Sequence, residues 1–151
     1  MKLIQNKTFI FLAIIVLAIA GFLIIESYPR DKTSLVIGGH KIIVEIADTD
    51  EKRYQGLSNR ENLCPDCGML FVWPEKAERA FVMRDMKIKL DIIWINNGKV
   101  VKIDENLAPE GSLPINLYKS PGPVDYVLEV NAGFTKKNNI KVNDPVKINL
   151  P

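Results

Sequence analysis

The sequence predicts a mainly β domain (α+β) with one or two short helices: a compact antiparallel sheet, barrel-like or folded over on itself, behind an N-terminal transmembrane helix. Three observations predict it. Turn signals recur about every ten residues from Ser34 onward. The apolar stretches between them are short and rich in Val, Ile and aromatic side chains, without the strand–helix alternation of a doubly wound sheet. Ahead of them, Phe9 to Ile25 ("FIFLAIIVLAIAGFLII") carries no charge.

As a helix those residues would span about 25 Å, enough for a hydrocarbon layer with modest thinning. Lys2 and Lys7 precede them and the first acid, Glu26, follows. Positive residues favour the cytoplasmic side, so residues 1–7 are expected inside, 8–25 as a signal-anchor, 26–33 as a linker and 34–151 as an exported domain facing the periplasm or cell exterior. "AIAG" (Ala18 to Gly21) offers a signal-peptidase site, so secretion after cleavage is the alternative. The apolar run continues through Ile25, which favours an uncleaved anchor.

The remaining elements follow in order. "SLVIGGHKIIVEIA" reads as two strands turning at Gly38-Gly39. Asp48, with Glu51 three residues on, reads as the cap of a helix over Thr49 to Gln55 that stops at Gly56. "MLFVW" reads as a buried strand ended by Pro74, with "PEKAER" a polar loop. "AFVMRDMKIKLDIIWI" reads as one long extended stretch, with Met86, Ile88, Leu90, Ile92 and Trp94 on one face and Lys87, Lys89, Asp91, Ile93 and Ile95 on the other. "NNG" (Asn96 to Gly98) turns the chain, and "KVVKID" pairs back. Leu107 to Pro123, with its prolines and glycines, reads as a long surface loop of the kind that carries binding function. "VDYVLEV" is a strand, "NAGFTKKNN" one or two helical turns, and a turn at Asn143-Asp144-Pro145 leads into a last strand.

Function classes narrow by composition. With Lys2 and Lys7 set aside, 18 of the 20 basic residues remain against 18 acids. That interspersed neutrality offers no electrostatic footprint for nucleic acid. No phosphate loop, dinucleotide loop or nucleophile elbow is present. His40 reads as an exposed strand residue, and the adjacent Asp104-Glu105 as solvated charge at a strand end. No cofactor is expected.

The cysteines, Cys64 and Cys67, form "CPDC". Redox use would place Cys67 at a helix N-terminus, yet β-forming residues follow it. Zinc needs four ligands, and the chain has no third cysteine and one histidine. A staple worth about 2 kcal/mol is the plainest reading; free thiols, redox and metal roles stay open.

Polar residues on β-segments, Arg84, Asp85, Asp91, Glu129 and Asn131, form the candidate pocket together with Arg53 and Met83. Asp91 and Glu129 stand among apolar neighbours, and buried carboxylates need partners; Arg53, Arg60 and Arg84 are available. An internal ion-pair network is the structural reading, a small-ligand pocket the functional one.

The blocks "RYQGLSNRENL", "GMLFVWP", "AFVMRDM", "LDIIWINNGKVVKIDENLAP" and "DYVLEVNAGFTKKNNIKVND" resemble, in order, those of the domain of unknown function 192 family. The resemblance covers about Val36 to Leu150. It implies a small β-rich fold, often behind a signal or anchor, and no established activity, cofactor or catalytic residue. Where relatives commonly read "FWMKNT" this chain has "FVMRDM", Phe81 to Met86. Where they have proline before "LD" it has Lys89, and its cysteines fall where relatives often have an acidic turn. The expectation is a membrane-anchored small-ligand-binding or accessory module without catalysis. The alternatives are a thiol–disulfide or other enzyme using Cys64 and Cys67, or a structural protein with an envelope-protein partner.

Overall fold

A computed structural model describes residues 33–149. The expected cytoplasmic N-terminus, the membrane span at 8–25 and the linker up to Lys32 lie outside the described residues. Among those described, no helix is long and apolar enough to cross a membrane. The described residues group as one compact unit.

Strand β1 (Ser34–Ile37) turns through Gly38-Gly39 into β2 (His40–Ala47). Both glycines hold positive φ (53° and 86°), the left-handed backbone that glycine adopts without a steric penalty. Helix α1 (Asp50–Gln55) follows, capped by Thr49, whose hydroxyl accepts from Lys52 N. The cap is one residue later than expected. Ala47 is still paired with Phe71, so the chain cannot begin to coil at Asp48, which instead pairs with Lys52 Nζ at 2.7 Å. Gly56 ends the helix as expected, with φ 50°.

Strand β3 (Cys67–Ala77) runs parallel to β2 and antiparallel to β8 (Val124–Asn131). It does not stop at Pro74. The β3–β8 ladder breaks after Val72↔Tyr126 and resumes at Ala77↔Val124, so Pro74, which has no N–H to donate, sits within an irregularity. The expected polar loop after it is therefore partly strand.

The long extended stretch is divided. β4 (Ala80–Phe81) pairs with β7 (Tyr118–Lys119) in a separate small sheet, and the chain then bends at Asp85, which takes φ 52°. β5 (Leu90–Asn96) and β6 (Lys99–Leu107) form the hairpin around Asn97-Gly98. The region read as one surface loop contains β7. After β8 come α2 (Phe134–Lys137), a single turn, and β9 (Val146–Asn149).

The main sheet has seven strands in the order β6-β5-β8-β3-β2-β1-β9 and curls into a half-barrel. Its outermost strands touch: Lys99 bridges Pro145, Val100 N donates to Asp144 O at 3.0 Å, and Val146 N donates to Gly98 O at 2.8 Å. Apolar side chains fill both faces. Leu35, Ile37, Ile42, Leu70, Ile93 and Leu128 pack on one. Leu57, Met69, Phe71, Leu90, Ile92 and Trp94 pack on the other. The period-two alternation expected for β5 is thus present, but both its faces are buried.

Of the two strand-end acids Glu105 is exposed, as expected, and Asp104 differs. Asp104 is not simply solvated: its Oδ2 accepts the Trp94 indole N–H at 2.7 Å and lies 2.9 Å from Lys102 Nζ. Glu105 Oε1 lies 3.0 Å from the Thr135 hydroxyl. His40 is exposed, as expected.

Gly68 sets the closeness of β3 and β8. A Cβ there would stand 2.6 Å from the backbone oxygen of Glu129, where no rotamer change relieves the clash. Gly68→Ala is expected to cost about 2 kcal/mol or more, read as a lower urea midpoint with unchanged slope. An unchanged midpoint would mean that the strands separate freely here.

Candidate functional site

Strand pairing decides which sequence-selected residues meet. Asp91 on β5 stands opposite Val130, while Ile92 stands opposite Glu129. Successive residues point to opposite faces, so Asp91 and Glu129 lie on different sides of the sheet. Their expected convergence is corrected accordingly.

Asp91 is fully buried and saturated with donors. Its Oδ1 accepts from Asn106 N (2.8 Å) and Gly133 N (3.1 Å), and its Oδ2 from Thr135 N (3.0 Å) and the Thr135 hydroxyl (2.6 Å). That hydroxyl has one proton, and Asp91 is nearer to it than Glu105. Asp91 ties α2 and the end of β6 to the central sheet. Asn131 is also a tie: its amide donates to Leu63 O (3.2 Å) and Cys64 O (2.9 Å). Cys64 and Cys67 stand at disulfide distance, Cα–Cα 5.1 Å, and Cys67 opens a strand rather than a helix. The helix-dipole device for lowering a thiol pKa is therefore missing. Met83 is fully buried in the second core. Asp85 shapes the bend, its N–H donating to Gly111 O at 3.2 Å and its carbonyl accepting from Asn59 N at 2.8 Å.

Arg53, Arg84 and Glu129 do come together. They line a cleft of about 340 Å³ between α1, β3 and the segment after β4. Its wall is aromatic. Phe71 meets Phe81 edge-on at 4.7 Å, Trp73 meets Phe81 at 6.3 Å, and Phe81 meets Trp94 behind at 5.6 Å. Such edge-to-face contacts fix ring orientation as well as burying area.

The rim is cationic. The Arg53 guanidinium donates to Val72 O and Asp50 Oδ1, both at 2.7 Å, and lies 5.7 Å from the Trp73 ring. Arg79, which does not line the cleft, stacks on the same ring at 4.3 Å. Burial first, then repulsion from Arg53, holds Arg79 below the usual arginine pKa. The Arg84 guanidinium lies 3.9 Å from the Tyr54 ring and donates to Tyr54 O at 2.6 Å, while Ser58 Oγ donates to the Arg84 carbonyl at 2.8 Å.

Glu129 lines the same cleft. It is 5% exposed, and its Oε2 has no hydrogen-bonding partner among the described residues. The expected ion-pair network does not form around it. Arg53 pairs with Asp50 and Arg60 with Glu45, and the nearest acid to Arg84 is Asp85, at 3.8 Å. Desolvation alone pushes the Glu129 carboxyl up to about 8, so at neutral pH it is mostly protonated and offers an O–H donor. Gly56 permits the close approach of α1: a Cβ there would reach within 3.4 Å of Phe71 Cζ and 3.9 Å of Glu129 Oε2. Its positive φ makes a side chain doubly unfavourable.

Sequence reasoning selected the charged members and missed Tyr54, Phe71, Trp73 and Phe81. The "FVW" alternation places Phe71 and Trp73 on one strand face, a signal that was present. Phe81 joins them only because β4 leaves the main sheet. Among the described residues, no three His, Cys, Asp or Glu side chains cluster as a metal site.

A curled β half-barrel with an aromatic, arginine-rimmed cleft over a buried carboxyl defines the class. The chain belongs to the domain of unknown function 192 family (DUF192), described as an uncharacterized ACR, whose profile matches residues 33–148. The fold is shared with a proposed transcription regulator from Sinorhizobium meliloti 1021, at 32% identity over 77% of this chain and 91% of that one, TM-score 0.70. It is also shared with a protein of unknown function from Novosphingobium aromaticivorans DSM 12444, at 29% identity over 76% of this chain and 83% of that one, TM-score 0.70. No curated protein matches the sequence.

Proposed function

We propose that this domain is a non-catalytic module that binds a small ligand in the cleft over Glu129, held outside the cytoplasm by a membrane tether formed by Phe9 to Ile25. One observation carries the binding reading: a buried carboxyl oxygen without a partner lies in an aromatic-lined cleft. A buried polar group left unpaired costs about 1–3 kcal/mol, so an uncompensated one beside a cleft is where a ligand would complete the bonding. The volume suits a small molecule, and aromatic walls with a few convergent polar groups are the usual anatomy of such sites.

The reading names Arg53, Arg84 and Glu129 as ligand-facing. Met83 and Asp85 support the wall, while Asp91 and Asn131 act as structural ties. No nucleophile paired with a base emerges around the cleft to suggest turnover. The tether rests on the hydropathy and flanking charges of the first residues.

The test is a thermal-unfolding screen of the full chain with metabolites, sugars and short peptides. A ligand at a hundred times its Kd should raise stability by about 2.7 kcal/mol, roughly 10 °C for a domain of this size. Phe81→Ala should abolish the shift. A screen without hits, together with an Arg84→Ala/Glu129→Ala chain that behaves as wild type in cells, would remove the proposal. The tether is tested by fractionation and external protease: the domain should be membrane-bound and accessible from outside.

A further inference from the structure

The geometry points to a small organic anion with a ring-shaped body as the ligand, its charge on Arg53 and Arg84 and its ring against Phe71, Trp73 and Phe81. This rests on reading the cleft as a ligand site and goes on to fix the ligand's chemical class.

Charge complementarity carries it. The charged groups facing the cleft are Arg53 and Asp50 on α1, Arg84 on the segment after β4, and Glu129 on β8. The lining residues of β3, Phe71 and Trp73, bear no charge. Asp50 is 95% exposed and already bonded to Arg53, whereas the two arginine side chains are only 15% and 23% exposed. The sheltered charge is therefore positive.

Donor supply agrees. A guanidinium carries five N–H groups; Arg53 uses two in hydrogen bonds and Arg84 one. The free N–H groups suit a carboxylate or phosphate oxygen. Glu129, while protonated, adds a further donor. A cationic ligand would meet two arginines at the rim and would have to ionise a desolvated acid. Ring shape follows from the wall, whose interlocked aromatics present faces and edges to a flat body.

Because Glu129 donates to the ligand only while protonated, anion binding weakens once that proton leaves. From pH 6 to pH 9.5 the affinity for an anion that stays ionised throughout should fall about 30-fold.

Benzoate, benzamide and benzylamine form a matched set: one ring with an anionic, a neutral or a cationic end. Titrate each into the full chain by calorimetry, and follow the indole N–H signal of Trp73 by NMR. Trp94, the other tryptophan, serves as the internal reference. Benzoate is expected to bind, to shift the Trp73 signal, and to lose affinity with rising pH as above. Glu129→Gln should flatten the pH profile of whatever benzoate binding it retains, since the amide stays neutral. Arg84→Ala should weaken benzoate about tenfold or more, and Arg84→Lys less.

Benzylamine binding in preference to benzoate, or an affinity that rises with pH, would overturn the anion class and leave a ligand cleft standing. Benzamide binding as tightly as benzoate would do the same. No Trp73 response to any probe, together with a failed wider screen, would overturn the site itself. The pH profile of the wild-type chain requires no variant, so a variant that misfolds does not shield the proposal.

Discussion

Glu129→Gln is expected to make the domain more stable at neutral pH, by about 3 kcal/mol, even though it removes a charge-bearing group from the fold's most distinctive site. In the unfolded chain the carboxyl titrates at its ordinary 4.5; in the folded domain it holds its proton up to about 8. Between those values the folded form binds one more proton than the unfolded form. Stability therefore declines as pH rises, by about 1.4 kcal/mol per pH unit. Its contribution is complete below the unfolded value and gone above the folded one. Glutamine has no proton to lose, so the variant should show no such decline. Urea unfolding of both proteins at pH 5, 7 and 9 reads the effect directly, the wild type being weakest at pH 9 and the difference between the proteins widening with pH. A wild-type stability that stays level from pH 5 to 8 would show that Glu129 is solvated after all. An acid kept at a cost in stability in a desolvated site is the pattern expected where function, not folding, selects the residue.

Asp91→Ala is expected to do the opposite, destabilising the domain by about 4 kcal/mol at neutral pH. Removing the carboxylate orphans three backbone N–H groups, those of Asn106, Gly133 and Thr135, and leaves the Thr135 hydroxyl only Glu105 to donate to. The loss should appear as a large drop in urea midpoint. Amide exchange should accelerate first at Gly133 and Thr135, because Asp91 is what fastens α2 to β5. Asp91→Asn should recover only part of the loss, since its NH2 would face donors where an acceptor is required. A cost below about 1 kcal/mol would mean that water replaces the carboxylate readily and that this part of the core is wet. The two acids stand on paired central strands, yet their substitutions are expected to move stability in opposite directions. One is saturated with partners, and the other has a buried oxygen, Oε2, with none among the described residues.

Most of the fold was legible because it depends on local chemistry. Gly38-Gly39 and Asn97-Gly98 supply the positive φ values that their turns need, and the alternation around Ile92, Ile93 and Trp94 fixes which side chains share a face. Pro74 misled because a proline ends a regular ladder but fits an irregular one, and whether β3 is irregular there depends on its partner β8. "AFVMRDMKIKLDIIWI" misled for a similar reason: Asp85 adopts a left-handed backbone that aspartate tolerates but does not announce. Glu129 was recognisable as a polar residue in an apolar strand. What it lacks was not. The absence of a partner depends on Arg53 and Arg84 being held by Asp50, Val72 and Tyr54, contacts set by the packing of α1 against the sheet.

The meeting of the sheet's first and last strands in space, β6 with the Pro145 segment, has a consequence for synthesis and assembly. Among the described strands β1 comes first in the chain, but one of its two neighbours, β9, comes after all the others. A nascent chain must therefore keep an unpaired hydrogen-bonding edge on β1 until residues 146–149 have emerged. The β1–β9 ladder is thus the pairing that must close late. A polypeptide cut short before Val146 would retain that ready template for intermolecular pairing, and so be prone to stick to its own kind.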